Sequence, residues 1–349
     1  MAMEGDVKPR RLSAALAAFA TAAMIGAMTT QAAAFTACQV TDTGGVDDKG
    51  FNQTAWKGIQ DAEAELGVEG KLLESSAETD YEPNINSFIS EGCDLIVTVG
   101  FLLGDATKAA AEANPDQKFS IVDFAYDPAL PNVLGQVFAT DQAAFLAGYL
   151  AAGVSESGIV GTFGGINIPP VTIFMNGFVR GVDYYNEQKG AEVQVLGWDA
   201  ETQGGLFTNN FDSLDDGRAF AQNLYDEGAD VVMPVAGPVG LGSAALANEL
   251  GVERLKIIGV DADQYETDPD RQHVYLTSVL KQMDATVVQA IELAMGDSFE
   301  GGVIVGTLEN SGVGLAPFHD LESAVSDELK AELDQIRQGI IDGSISVEE

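Results

Sequence analysis

Asp42 closes an apolar run at 35–41, Asp123 closes "KFSIVD", Asp261 closes "LKIIGVD", and Lys281 comes just after "VYLTSV". Gly237 follows "DVVMPVA", while Phe51 and Phe211 sit on loops between such runs. Carboxylates accept hydrogen bonds from hydroxyl and N–H groups, and aromatic faces stack on flat rings. Gathered in one place, these residues suit a neutral, planar, hydrogen-bonding molecule of the nucleoside kind. Single members also have plainer readings. Asp42 or Asp48 caps the helix that starts near Phe51, or Phe211 is ordinary core.

Residues 41–58, "TDTGGVDDKGFNQTAWKG", carry the densest pattern. They read as a strand end, a tight loop and the first turns of a helix, the place where an open α/β sheet presents a ligand site. The glycines let the backbone turn tightly. The aspartates organise the loop and cap the helix, and Phe51 is offered as a stacking face.

Signals for catalysis are missing from the sequence. There are two histidines, His273 and His319, neither with a second metal-type ligand three or four residues away. No Gly-x-Ser-x-Gly elbow, His-Glu-x-x-His pair or phosphate loop is present. "GPVGLG" at 237–242 follows a strand and opens a helix, but its glycine spacing is wrong for a dinucleotide loop, so it reads as a helix N-terminus facing a polar group. No cofactor is called for. Cys38 and Cys93 are an even pair without Cys-x-x-Cys spacing, which in an exported chain suggests a disulfide. Two free thiols, or lipidation at Cys38, are the alternatives.

The elements that must hold these residues alternate regularly. Strand-like runs at 35–41, 70–75, 94–100, 118–124, 132–138, 158–164, 191–198, 230–236, 255–261 and 274–279 are separated by helical patterns at 51–66, 102–114, 140–152, 171–187, 213–227, 240–250 and 281–296. Gly67, Gly190, Gly228 and Gly251 follow last helical turns, where a left-handed cap is wanted. The alternation predicts parallel sheets with helices on both faces. A change of rhythm near 138–158 divides them into two similar lobes, with a surface helix at 321–341.

Ahead of the fold, "KPRR", a weakly apolar alanine-rich run and Ala32–Ala34 read as a signal peptide over residues 1–34, cleaved after Ala34. The run is shorter than the roughly 20 apolar residues a membrane span needs. The chain is therefore expected to be periplasmic or otherwise extracytoplasmic. Its net charge of −37, from 54 acids against 17 bases, disfavours nucleic acid and anionic membranes as partners.

The 41–58 stretch closely resembles the opening motif of the basic membrane protein family, the purine nucleoside receptor group of ABC-transporter binding proteins. "GCDLIVTVGF", "FLAGYLAA", "NGFVRGV", "GADVVMPVAGPVGLG", "IIGVDADQ", "LTSVLKQMDATV" and "GVGLAPF" carry the resemblance in order across residues 36–320. It implies a type I periplasmic-binding-protein fold, with two doubly wound parallel-sheet lobes joined by a hinge. The expected lobes are 35–138 with 280–303, and 139–279 with 304–349. The resemblance also implies no catalysis, a purine nucleoside as ligand, a membrane permease as partner, and a monomer. Phe51 and Phe211 would sandwich the purine and Asp123 would read its Watson–Crick edge. Gly237, Asp261 and Lys281 would hold the ribose, with Asp42 and Val239 completing the set. Gly50 stands where relatives can place a side chain that touches the base, which leaves base preference open. A flat polyhydroxylated ligand such as riboflavin, or a secreted nucleoside-processing enzyme, are the competing readings.

Overall fold

The computed structural model describes residues 1–2, 5, 34–296 and 299–348, so the expected signal peptide lies outside the described residues except for Met1, Ala2, Gly5 and Ala34. Among the described residues no helix is long and apolar enough to cross a membrane.

The first lobe begins with β1 (Thr36–Val40), α1 (Phe51–Leu66), β2 (Glu69–Leu73), α2 (Tyr81–Glu91) and β3 (Leu95–Val99). It continues through α3 (Gly104–Ala113), β4 (Lys118–Val122) and β5 (Val133–Phe138). The second lobe opens with α4 (Thr140–Val154), β6 (Ile159–Gly164) and α5 (Pro169–Lys189), then β7 (Gln194–Leu196) and a small ribbon of β8 (Trp198–Asp199) and β9 (Gly204–Gly205). After it come α6 (Leu214–Asp226), β10 (Val231–Val235), α7 (Gly240–Leu250), β11 (Lys256–Asp261), α8 (Gln264–Thr267) and β12 (Tyr275–Lys281). The chain then runs through α9 (Met283–Met295), β13 (Gly302–Gly306), β14 (Val313–Leu315) and α10 (Asp327–Asp342).

Two six-stranded sheets result, ordered β2-β1-β3-β4-β5-β13 and β7-β6-β10-β11-β12-β14. The first is wholly parallel, whereas β14 runs antiparallel to β12 in the second. The two orders correspond strand for strand, so each lobe presents its strand ends in the same sequence. Central strands such as β3 (LIVTV) and β10 (VVMPV) are buried along their whole length, as apolar runs covered on both faces must be. β13 lies whole in the first sheet as far as Gly306. The chain passes between the sheets around 139, 282 and 307–312, where Ala139 N–H donates to Gly306 and Gln282 N–H to Gly312.

The expected strands and helices are present, the run expected at 191–198 is divided between β7 and β8, and α2, α8, β9, β13 and β14 are additional. Gly67 and Gly190 adopt the left-handed cap, while Gly251 leaves α7 with φ 94° and ψ 142°, an extended glycine conformation. The helix expected on the surface near 321–341 starts at Asp327 and is half-buried. Leu329, Leu333, Ile336 and Ile340 are in the core, and Glu332 accepts from Tyr149 of α4. Cys38 on β1 and Cys93, between α2 and β3, are joined by a disulfide, and both are buried. Helices α4 and α5 cross with backbone nearly touching. A Cβ on Gly148 or Gly181 would lie 2.0 Å from the carbonyl oxygen of Phe178 or Phe145. The "FLAGYLAA" and "NGFVRGV" motifs therefore serve a close helix contact.

Candidate ligand cleft

The strand ends of both sheets meet around a cleft of about 580 Å³ of non-protein space, partly open to solvent. Asp42, Phe51, Asp123, Phe211, Gly237, Asp261 and Lys281 all line it. Gly50 and Val239 do not. Gly50 lies behind the lining, where a Cβ would stand 3.7 Å from the Val260 carbonyl and 3.8 Å from Asp261. Val239 ends a tight 3-10 turn, Gly237–Val239, that rotates it into the second lobe's core, where it is fully buried.

The loop after β1 is built around two aspartates with different tasks. Asp48 accepts the backbone N–H groups of Gly50 at 3.0 Å, Asn52 at 2.7 Å and Gln53 at 3.1 Å. Those are the donors that the first turn of a helix leaves unpaired, so Asp48 is the residue that caps α1. Asp42 instead accepts from Gly44 N–H at 3.0 Å and from the Asn52 amide at 2.7 Å. Phe51, the first residue of α1, is thereby fixed at the cleft.

Asp123 and Asp261 occupy corresponding places, just past β4 and at the end of β11. Both have left-handed backbone angles, φ 64° and φ 70°. Such angles are uncommon outside glycine and cost of order 1–3 kcal/mol, a strain that collects at functional sites. Lys281, at the end of β12, answers both carboxylates. Its Nζ lies 2.8 Å from Asp123 Oδ2 and 3.5 Å from Asp261 Oδ1, and the side chain is almost wholly buried. The ring centroids of Phe51, Phe174 and Phe138 stand 5.0, 5.2 and 5.6 Å from the same ammonium.

Burial pushes Asp42 and Asp261 above the usual carboxylate range, and pushes Asp48 up to about 7 against the pull of its three N–H donors. Burial alone would lower Lys281, but the charges of Asp123 and Asp261 outweigh it and hold the ammonium above its ordinary value. With four acidic side chains beside one ammonium that is itself paired, the lining described here offers a phosphate no free cation and offers neutral donors many acceptor oxygens.

Phe211, on the loop before α6, lies against the backbone that leaves β6. A Cβ on Gly165 would meet its ring at 2.3 Å, so the glycine makes room for it. Gly237 has φ 54°, no other described residue comes within 4 Å of a built Cβ, and its backbone lines the cleft. Between the lobes, Thr267 at the end of α8 donates to the Lys49 carbonyl at 2.6 Å. Phe174 and Asn52 also line the cleft and were missed from the sequence. Both sit on helices that follow a central strand, β6 and β1, and that position was the available signal. His319 lies outside the cleft lining, 2.8 Å from Asp263 and stacked on Tyr265.

Two α/β lobes with a polar, aromatic-walled cleft at their facing strand ends define a solute-binding protein of the periplasmic type. Residues 35–349 match the family described as ABC transporter substrate-binding protein, PnrA-like, and the chain belongs to that family. It is 33% identical over 331 residues to the CD4+ T-cell-stimulating antigen of Listeria monocytogenes, covering 90% of this chain and 88% of that one. It is 32% identical over 324 residues to the ABC transporter nucleoside-binding protein BmpA of Lactococcus lactis, covering 88% and 87%. The crystal structure of an ABC transporter solute-binding protein from Aeropyrum pernix superposes with a TM-score of 0.80 at 27% identity, covering 89% of this chain and 92% of that one. The resemblance seen in the motifs is thus borne out across the fold.

Proposed function

We propose that this protein captures purine nucleosides in the interlobe cleft outside the cytoplasm and delivers them, as a monomer, to the permease of an ABC importer. The observation that carries the reading is the cleft's composition. Carboxylates from both lobes, a single shared lysine and the rings of Phe51, Phe211 and Phe174 converge there. Aromatic faces suit a flat base, and carboxylates suit the hydroxyls of a ribose and the N–H edge of a purine. The negative balance favours nucleosides over nucleotides. The nucleoside-binding relative supports the same ligand class. In this reading Asp123 accepts from the base, and Asp261 and Lys281 hold the sugar beside Gly237. The protein performs no chemistry on what it binds.

Calorimetric titration with guanosine, inosine, adenosine, guanosine monophosphate and riboflavin tests this. Nucleosides should bind one to one, the monophosphate should not bind, and bound nucleoside should be recovered intact. Exclusive binding of riboflavin, or release of free base, would replace the proposal with one of its competitors.

A further inference from the structure

The cleft carboxylates are held in different ways. Asp123 and Asp261 share Lys281, but among the described residues Asp42 has no cation within ion-pair distance. Its Oδ1 is committed to Gly44 N–H at 3.0 Å and to Asn52 Nδ2 at 2.7 Å. Its Oδ2 takes no protein donor among the described residues and faces Gly100, another lining residue, 3.1 Å from where a Cβ would stand.

Asn52 is the pivot. It is 1% exposed, and its Nδ2 also lies 3.2 Å from Asp48 Oδ2. An amide NH₂ has two hydrogens, and here both point at carboxylates, which fixes the orientation of the side chain. Among the described residues its own Oδ1 is buried without a hydrogen-bond partner. A buried acceptor left unpaired costs stability, so the donor end is where this residue contributes.

We propose that Asn52 is a positioning residue for ligand capture: by holding Asp42 Oδ1 it keeps Oδ2 free as an acceptor in the cleft, and it couples capture to release of a proton. The nucleoside reading supplies only the identity of the ligand. A ligand O–H or N–H bonds an ionised Oδ2 more strongly than a protonated one, so binding favours the ionised form and a proton held by Asp42 in the empty cleft passes to solvent. Several groups surround Asp42. Asp48 lies in the loop that follows Asp42, Tyr81 comes from α2, Asp123 follows β4, and Asp261 and Lys281 end β11 and β12. Burial raises Asp42 most strongly, the Asn52 and Gly44 hydrogen bonds pull it back, and the charge of Asp123 raises it again.

The test combines two readouts on Asn52→Leu and Asp48→Asn. The first is the carboxyl ¹³C titration of the ligand-free protein, with Asp42 assigned from Asp42→Asn. The second is calorimetry with guanosine and inosine in buffers of different ionisation enthalpy. The wild type should release a proton on binding at those pH values where the ligand-free titration shows Asp42 still protonated. Asn52→Leu should move Asp42's titration upward by about one pH unit, with roughly tenfold weaker binding on the acid side. Asp48→Asn removes a nearby carboxyl and, at pH values where Asp48 is ionised, should move it downward. An Asp42 titration unmoved by Asn52→Leu, or two shifts of the same sign, overturns the proposal. If Asn52→Leu does not fold, Asn52→Ala takes its place, and an Asp42 titration unmoved in that variant overturns the proposal. If no nucleoside binds the wild type, the nucleoside reading fails while the ligand-free titration still decides the role of Asn52.

Discussion

Asp123 and Asp261 reach one lysine from opposite lobes, and their individual contributions can be separated. Asp123 gives Oδ2 to Lys281, and among the described residues its Oδ1 takes no protein donor. Asp123→Ala should cost guanosine and inosine roughly ten- to a hundredfold in affinity, the value of a charge-assisted hydrogen bond. Adenosine, whose N1 accepts, should lose less. Phe51→Ala removes stacking worth roughly 1–3 kcal/mol and should weaken all three alike. Calorimetry on folded variants checks both, and equal losses for every base in Asp123→Ala would leave that carboxylate a wall of the pocket. Lys281→Met leaves two buried carboxylates without their cation, a loss of about 3–5 kcal/mol. Asp261, already raised by burial, then loses the charge that pulls it down. A carboxylate raised by folding binds more protons folded than unfolded, so its stability is retained at low pH and lost as pH rises through the folded value. Urea melts should therefore show a larger deficit at pH 8 than at pH 5; an equal deficit would point to lost packing.

At the scale of elements, the crossing of α4 and α5 is set by glycine. Gly181→Ala would drive a methyl into the Phe145 carbonyl at 2.0 Å. That contact involves backbone, which cannot swing aside, so the variant should be destabilised by about 1–3 kcal/mol or more. Denaturant unfolding measures this, and a loss below about 0.5 kcal/mol would mean that the helices can slide apart. Strand ends were legible in the sequence because buried parallel strands are uniform apolar runs, and a charge that stops such a run is conspicuous. Asp123, Asp261 and Lys281 stood out in that way. Phe174 did not, because an aromatic residue in an apolar first turn reads as core. Asn52 was hidden for a related reason: its role comes from two carboxylates brought to one amide by the loop fold, which residue spacing does not reveal. Val239 shows the converse limit, since a 3-10 turn rotates faces by a different angle from an α-helix and takes it away from the cleft. The pairing of α10 with α4 depends on tertiary contact and left no mark beyond amphipathic spacing.

For the whole molecule, the bonds that span the cleft matter most. Lys281 of the second sheet pairs with Asp123 of the first, and Thr267 holds the Lys49 carbonyl across the gap. A solute gripped from both sides stabilises the form in which the lobes are drawn together and shifts the population toward it. These same bonds also act as a gate. If a solute reaches the aromatic walls only after they part, entry is ordered: opening first, encounter second. With stopped-flow mixing, the observed rate of nucleoside uptake should climb with concentration and then level off at the opening rate. Thr267→Val, which removes one strand of the gate, should raise that plateau. A rate that stays linear to high concentration would mean that the solute enters by a door these bonds do not guard.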